Sequence, residues 1–100
     1  MPKPAKDVGA ALCRKGFQSH QSDHVYYYFY ADGRKTAVRT KISHGEKEIG
    51  DNLLAVMARQ VKLTKKLFGE LVDCSMTQEQ YLRKLRDAGH IGKTAPSRDD

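Results

Sequence analysis

Apolar positions along this chain follow two spacings. From Val25 to Ile42 they alternate with polar, aromatic or basic residues, and from Leu53 onward they recur at helical spacing. The first pattern predicts a β-hairpin and the second a run of helices. At the centre of the alternating stretch stands Asp32-Gly33, the strongest short-range hairpin signal, because a type I′ turn needs φ > 0 at both central residues. With those residues as the turn, Val25, Tyr27 and Phe29 are expected to oppose Thr40, Val38 and Thr36. His24, Tyr26, Tyr28 and Tyr30 then oppose Lys41, Arg39, Ala37 and Lys35. One face of the hairpin is apolar, and the other carries His, Tyr, Arg and Lys.

The flanks complete the set of elements. Pro2 and Pro4 read as a disordered lead-in, and Asp7 as the N-cap of a helix through Lys15 with Val8, Ala11 and Leu12 as its apolar stripe. Gly16 supplies the left-handed residue that ends it, with Leu12 reaching Phe17 across the cap. Phe17 to His20 reads as a short strand, although its polar continuation also suits a loop. Ser43 to Glu48 reads as a polar connector. Gly50-Asp51-Asn52 starts a helix through Lys62 that buries Leu53, Leu54, Met57 and Val61. Two more helices open with a hydrophobic staple, Leu63-Thr64 with Phe68 and Met76-Thr77 with Tyr81, and Gln80 adds a capping box to the second. Their apolar stripes are Leu67, Phe68, Leu71 and Val72, then Tyr81, Leu82 and Leu85, with the last helix stopping at Gly89. Two such units are too few for a solenoid.

These elements predict an α+β fold: a small antiparallel sheet of two to three strands packed on helices. The order helix, strand, hairpin, helix is a layout like that of double-stranded-RNA-binding domains, with two C-terminal helices added. The expected organisation is one domain over residues 1–93, its core in about 5–70, and a flexible tail over 94–100.

Composition narrows the function classes. At 100 residues, 30% charged and 39% hydrophobic, the chain reads as one globular domain able to bury a core. It has no apolar run of membrane-spanning length and no apolar signal segment after Met1, so the expectation is a cytoplasmic protein with no membrane partner. Cys13 and Cys74 stand far apart, without C-x-x-C spacing, and read as buried thiols. A net charge of +6 and a pI near 9.4 suit an anionic partner. His20, His24, His44 and Cys13 carry atoms that bind zinc, but not at the spacing of a zinc module, so neither a metal nor a cofactor is expected. Lys62, Lys65 and Lys66 read as solvated charges at helix ends.

Several short motifs recur here in one order: Lys15-Gly16-Phe17, a serine and a polar residue before His24 and an aromatic strand, Asp32-Gly33-Arg34-Lys35, then Ile42-Ser43-His44-Gly45 and Leu53-Leu54. Over about residues 5 to 70 the chain resembles the HicA family of toxins. That resemblance implies a ribonuclease that cleaves messenger RNA, is held inactive by a HicB-like antitoxin, and uses the histidine corresponding to His24. The family's Gly-Ser pair before that histidine is Ser22-Asp23 here, and Ile42 stands where the family has proline.

Metal-independent RNA cleavage requires a base for the 2′-hydroxyl proton, an acid for the departing 5′-oxygen, and cations for the phosphate. In the expected register His24 lies opposite Lys41. Arg39, Lys41 and Lys35 are candidates to hold phosphate, Tyr26 and Tyr28 to stack on bases, and His44 to bind phosphate or serve as the second group. The alternatives are a non-catalytic module of the same fold that contacts structured RNA or a protein through the sheet or the helical extension, and a protein-interaction domain that uses the extension, with the basic face incidental.

Overall fold

A computed structural model of the protein describes residues 3–73 and 75–91. Its elements are β1 (Lys3–Pro4), α1 (Ala5–Arg14), β2 (Phe17–Gln21), β3 (His24–Ala31), β4 (Arg34–Ser43), β5 (Glu48–Ile49), α2 (Asp51–Gln60), α3 (Lys65–Val72) and α4 (Gln78–Asp87). The fold is α+β, with a three-stranded antiparallel sheet in the order β2-β3-β4 and a two-stranded one of β1 and β5. No helix among the described residues is long and apolar enough to cross a membrane. Cys74 and the expected tail, 94–100, lie outside the described residues.

The central turn forms as its residues dictate, with φ of 54° at Asp32 and 77° at Gly33. Next to it the expected pairing holds, Tyr30 with Lys35. Beyond Phe29 the ladder shifts, so that Tyr28 pairs with Arg39, Tyr26 with Lys41, Val25 with Ile42 and His24 with Ser43. Lys41 therefore opposes Tyr26 and not His24. The cause is Thr36, whose hydroxyl donates to the Phe29 carbonyl (2.7 Å) and accepts from the Val38 N–H (3.1 Å), taking ladder positions that backbone groups would otherwise fill. The shift is by two residues on β4. Face assignment survives, because side chains alternate with period two. Val38, Thr40 and Ile42 are buried, and Lys35, Ala37, Arg39 and Lys41 are exposed.

Several local expectations change. Lys3 and Pro4 are not a disordered lead-in but pair with Ile49 and Glu48, and the Ala5 N–H donates to the Lys47 carbonyl (2.9 Å). Helix α1 consequently begins at Ala5 with Pro4 at its N-cap, which places Asp7 inside the first turn instead of at the cap. Cys13 is exposed and not a buried thiol, although Val8, Ala11 and Leu12 of the same helix are buried. Helix α2 ends at Gln60, because Lys62 adopts a left-handed conformation, φ 68°. The polar stretch Phe17–Gln21 is a strand along its whole length, paired with β3. Both threonine caps form as expected: Thr64 accepts from the Leu67 N–H, and Thr77 and Gln80 make the reciprocal capping box.

One core runs through the whole described chain. Phe17 and Phe29 from the sheet meet Tyr81 from α4 at ring-centre distances of 5.8 and 4.9 Å, among buried Leu12, Met57, Phe68, Leu71 and Leu85. The two C-terminal helices are thus part of the core and pack behind the apolar face of the sheet. Gly16, with φ of 98°, is where α1 hands over to β2; a Cβ there would lie 2.9 Å from the Phe29 ring. Lys15 beside it is buried, and its Nζ donates to the main-chain carbonyls of Leu71 (2.8 Å) and Met76 (2.5 Å). At the far end of the hairpin Arg86 of α4 pairs with Asp32.

The Tyr81 hydroxyl donates to the Val61 carbonyl (2.8 Å), and burial raises its pKa well above the ordinary 10.0. The folded state therefore keeps a proton that the unfolded chain gives up near its ordinary value. The resulting stability is complete below about pH 10 and falls as pH rises beyond it. Tyr81→Phe is expected to lose about 1 kcal/mol at neutral pH and to show a shallower decline above about pH 10, read from urea midpoints at successive pH values. Parallel declines in the two proteins would contradict this.

Candidate nucleic-acid interface

The sheet's polar face is built by strand alternation. His24, Tyr26, Tyr28 and Tyr30 project from β3 on the side opposite buried Phe29, and Lys35, Arg39 and Lys41 project beside them from β4. Along β3 the rings form a row. His24 meets Tyr26 edge-on at 6.2 Å, Tyr26 and Tyr28 stack at 6.2 Å with 25° between planes, and Lys35 Nζ sits 4.0 Å over the Tyr28 ring.

Beside this row an open cleft of about 690 Å³ is lined by His20, Ser22, Tyr26, Tyr28, Arg39 and Lys41, with Gln60 and Lys62 at its α2 side. Aromatic planes offered with guanidinium and ammonium groups match the two chemistries of a single-stranded nucleic acid, base faces and phosphates. Thr40, whose hydroxyl donates to Gln60 Oε1 (2.6 Å), fastens the end of α2 to the sheet and so fixes that wall.

At one end of the row lies the β2–β3 turn. Asp23 Oδ1 accepts from the hydroxyls of Ser22 (3.0 Å) and Tyr26 (3.3 Å), and the Ser22 hydrogen bond is the main reason its carboxyl titrates below the usual range. Partial desolvation, followed by the Asp23 charge, raises the Tyr26 phenol. His44 is brought back to this turn, where its Nε2 donates to the Ser22 carbonyl (2.9 Å), and the Ser22 N–H donates to the His24 carbonyl (2.9 Å). His24 is half-buried, and its Nδ1 is buried without a hydrogen-bond partner. A ring nitrogen in that state has forgone about 1–3 kcal/mol of hydrogen bonding.

Of the residues singled out from sequence, Tyr26, Tyr28, Arg39 and Lys41 come together in the cleft, with His24 adjoining Tyr26 and Lys35 over Tyr28. His44 instead braces the turn. Sequence reasoning passed over His20 as a site residue and took Lys62 only as a solvated charge. Parity from Phe17 was the available signal for His20, since an odd separation along one strand puts it on the face opposite that buried ring. Among the described residues no group of three or more His, Cys, Asp or Glu is placed to hold a metal ion. No family model, curated protein or solved structure matches this chain significantly.

Proposed function

We propose that this protein is a HicA-like endoribonuclease that cleaves messenger RNA at the polar face of its sheet, with His24 as the proton-transfer group. The observation that carries the reading is the open face itself: His24, two stacked tyrosines, Arg39 and Lys41 share one side of the sheet, while the C-terminal helices pack into the core on the other side. Tyr26 and Tyr28 hold a base by stacking, and Arg39 and Lys41 neutralise the scissile phosphate. His24 then serves the 2′-hydroxyl or the 5′-oxygen, and the reaction leaves a 2′,3′-cyclic phosphate. A HicB-like antitoxin that covers this face would silence the enzyme by occupying the RNA's place. The discriminating experiment is inducible expression of wild type and His24→Ala in a bacterial host, with growth and transcript integrity followed together. Wild type should arrest growth and fragment transcripts, and His24→Ala should do neither. Intact growth and RNA under wild-type expression would refute the reading.

A further inference from the structure

We propose that His20, on edge strand β2, is the second proton-transfer group of this face and works with His24 on one phosphate; the proposal rests on the ribonuclease reading above. Transesterification forms the bond from the 2′-oxygen to phosphorus and breaks the bond from phosphorus to the 5′-oxygen. One group accepts the 2′-hydroxyl proton and the other donates a proton to the departing 5′-oxygen, which gives a 2′,3′-cyclic phosphate and a 5′-hydroxyl. In an in-line displacement those oxygens lie on opposite sides of the phosphorus, so two separated side chains are needed to reach both at once.

The β2–β3 register supplies such a pair. His20 pairs directly with Tyr26, and Ser22, bonded through its N–H to the His24 carbonyl, stands across from His24. Directly opposed residues share a face, as do alternate residues of one strand, so His20, His24 and Tyr26 project together. His20 and His24 are therefore diagonal neighbours across the β2–β3 ladder, a relation that sets such residues about 7–8 Å apart, with somewhat less between Cβ atoms. A phosphate whose two reacting oxygens each sit about 3 Å from a ring nitrogen fits between them. His20 is exposed and lines the cleft with Tyr26, Arg39 and Lys41. The other titratable groups at this end are engaged: His44 Nε2 on the Ser22 carbonyl and the Tyr26 hydroxyl on Asp23. The charged and titratable groups around His20 are Tyr26 and Tyr28 of β3, Arg39 and Lys41 of β4, Lys62 after α2, and Asp23 of the turn.

The test compares full-length wild type, His20→Ala, His20→Asn and His24→Ala on two RNAs. One is ordinary, and the other carries sulfur at the 5′-bridging position, a leaving group that departs without a proton. Wild-type cleavage of ordinary RNA reports on the ribonuclease reading itself, and its absence removes both ideas. With wild type active, both His20 variants should fall about 10²–10⁴-fold on ordinary RNA and should lose one limb of the pH profile of kcat/KM. One of the two alanine variants should recover on the sulfur substrate, which identifies the acid. Melting curves should match wild type, since His20 is exposed. His20 variants as active as wild type, retention of both pH limbs, or recovery by neither variant would overturn the role of His20 and leave the ribonuclease reading intact.

Discussion

His24→Ala is expected to slow RNA cleavage by about 10²–10⁴-fold, the usual cost of removing a proton-transfer group. The loss should fall on kcat and not on binding, because the stacked tyrosines and the Arg39 and Lys41 charges remain in place. Stability separates this outcome from simple damage. The Nδ1 atom of His24 is buried and unpartnered, so truncation deletes a group whose hydrogen bonding the fold leaves unmet. The variant should therefore melt no lower than wild type by more than its small loss of ring packing against Tyr26. Cleavage by His24→Ala at the wild-type rate would remove the histidine from the chemistry, and a large drop in melting temperature would make the activity loss uninformative.

Lys15→Met is expected to destabilise the protein by about 2–3 kcal/mol. The methionine matches the length of the aliphatic stem but carries no donors, so the buried, charge-assisted hydrogen bonds to the carbonyls of Leu71 and Met76 are lost, at roughly 1.5–3 kcal/mol each. Part of that cost is offset because an ammonium no longer has to be desolvated. For a domain of this size the change corresponds to roughly 10–20 °C in melting temperature. The ammonium also lies against the carbonyl end of α3, where a positive charge is favoured by the helix dipole. Lys15→Arg is not equivalent, since a planar fork does not fit the two carbonyl sites that the lysine serves. Equal stability of wild type and Lys15→Met in urea would show that the clamp is dispensable.

Much of this architecture was legible in the sequence wherever one residue type is demanded by local geometry. Asp32-Gly33, Gly16, Thr64 and the Thr77–Gln80 pair each satisfy a backbone requirement that few other residues meet, and each does so in the structure. What was not legible depends on partners distant in sequence. The Thr36 hydroxyl enters the ladder and moves the pairing past Phe29 by two residues, which no alternation of apolar positions announces. The short β1–β5 ladder exists because Ala5 and Lys47 meet, and a two-residue strand carries no periodicity. A buried lysine contradicts the usual preference for exposed ammonium groups, and its carbonyl partners are Leu71 and Met76, far along the chain. The site followed the same division. Its face was readable from parity, whereas His20 was not picked out, because a polar strand resembles a loop until its partner is known.

RNA cleavage by the polar face of the sheet is proposed to need side-chain chemistry alone. It is tested most directly by incubating the purified protein with single-stranded RNA in excess chelator and identifying the new 3′ ends. Fragments that end in 2′,3′-cyclic phosphate are expected, formed by wild type and not by His24→Ala. Intact RNA, or 3′-hydroxyl ends that require added divalent metal, would contradict it.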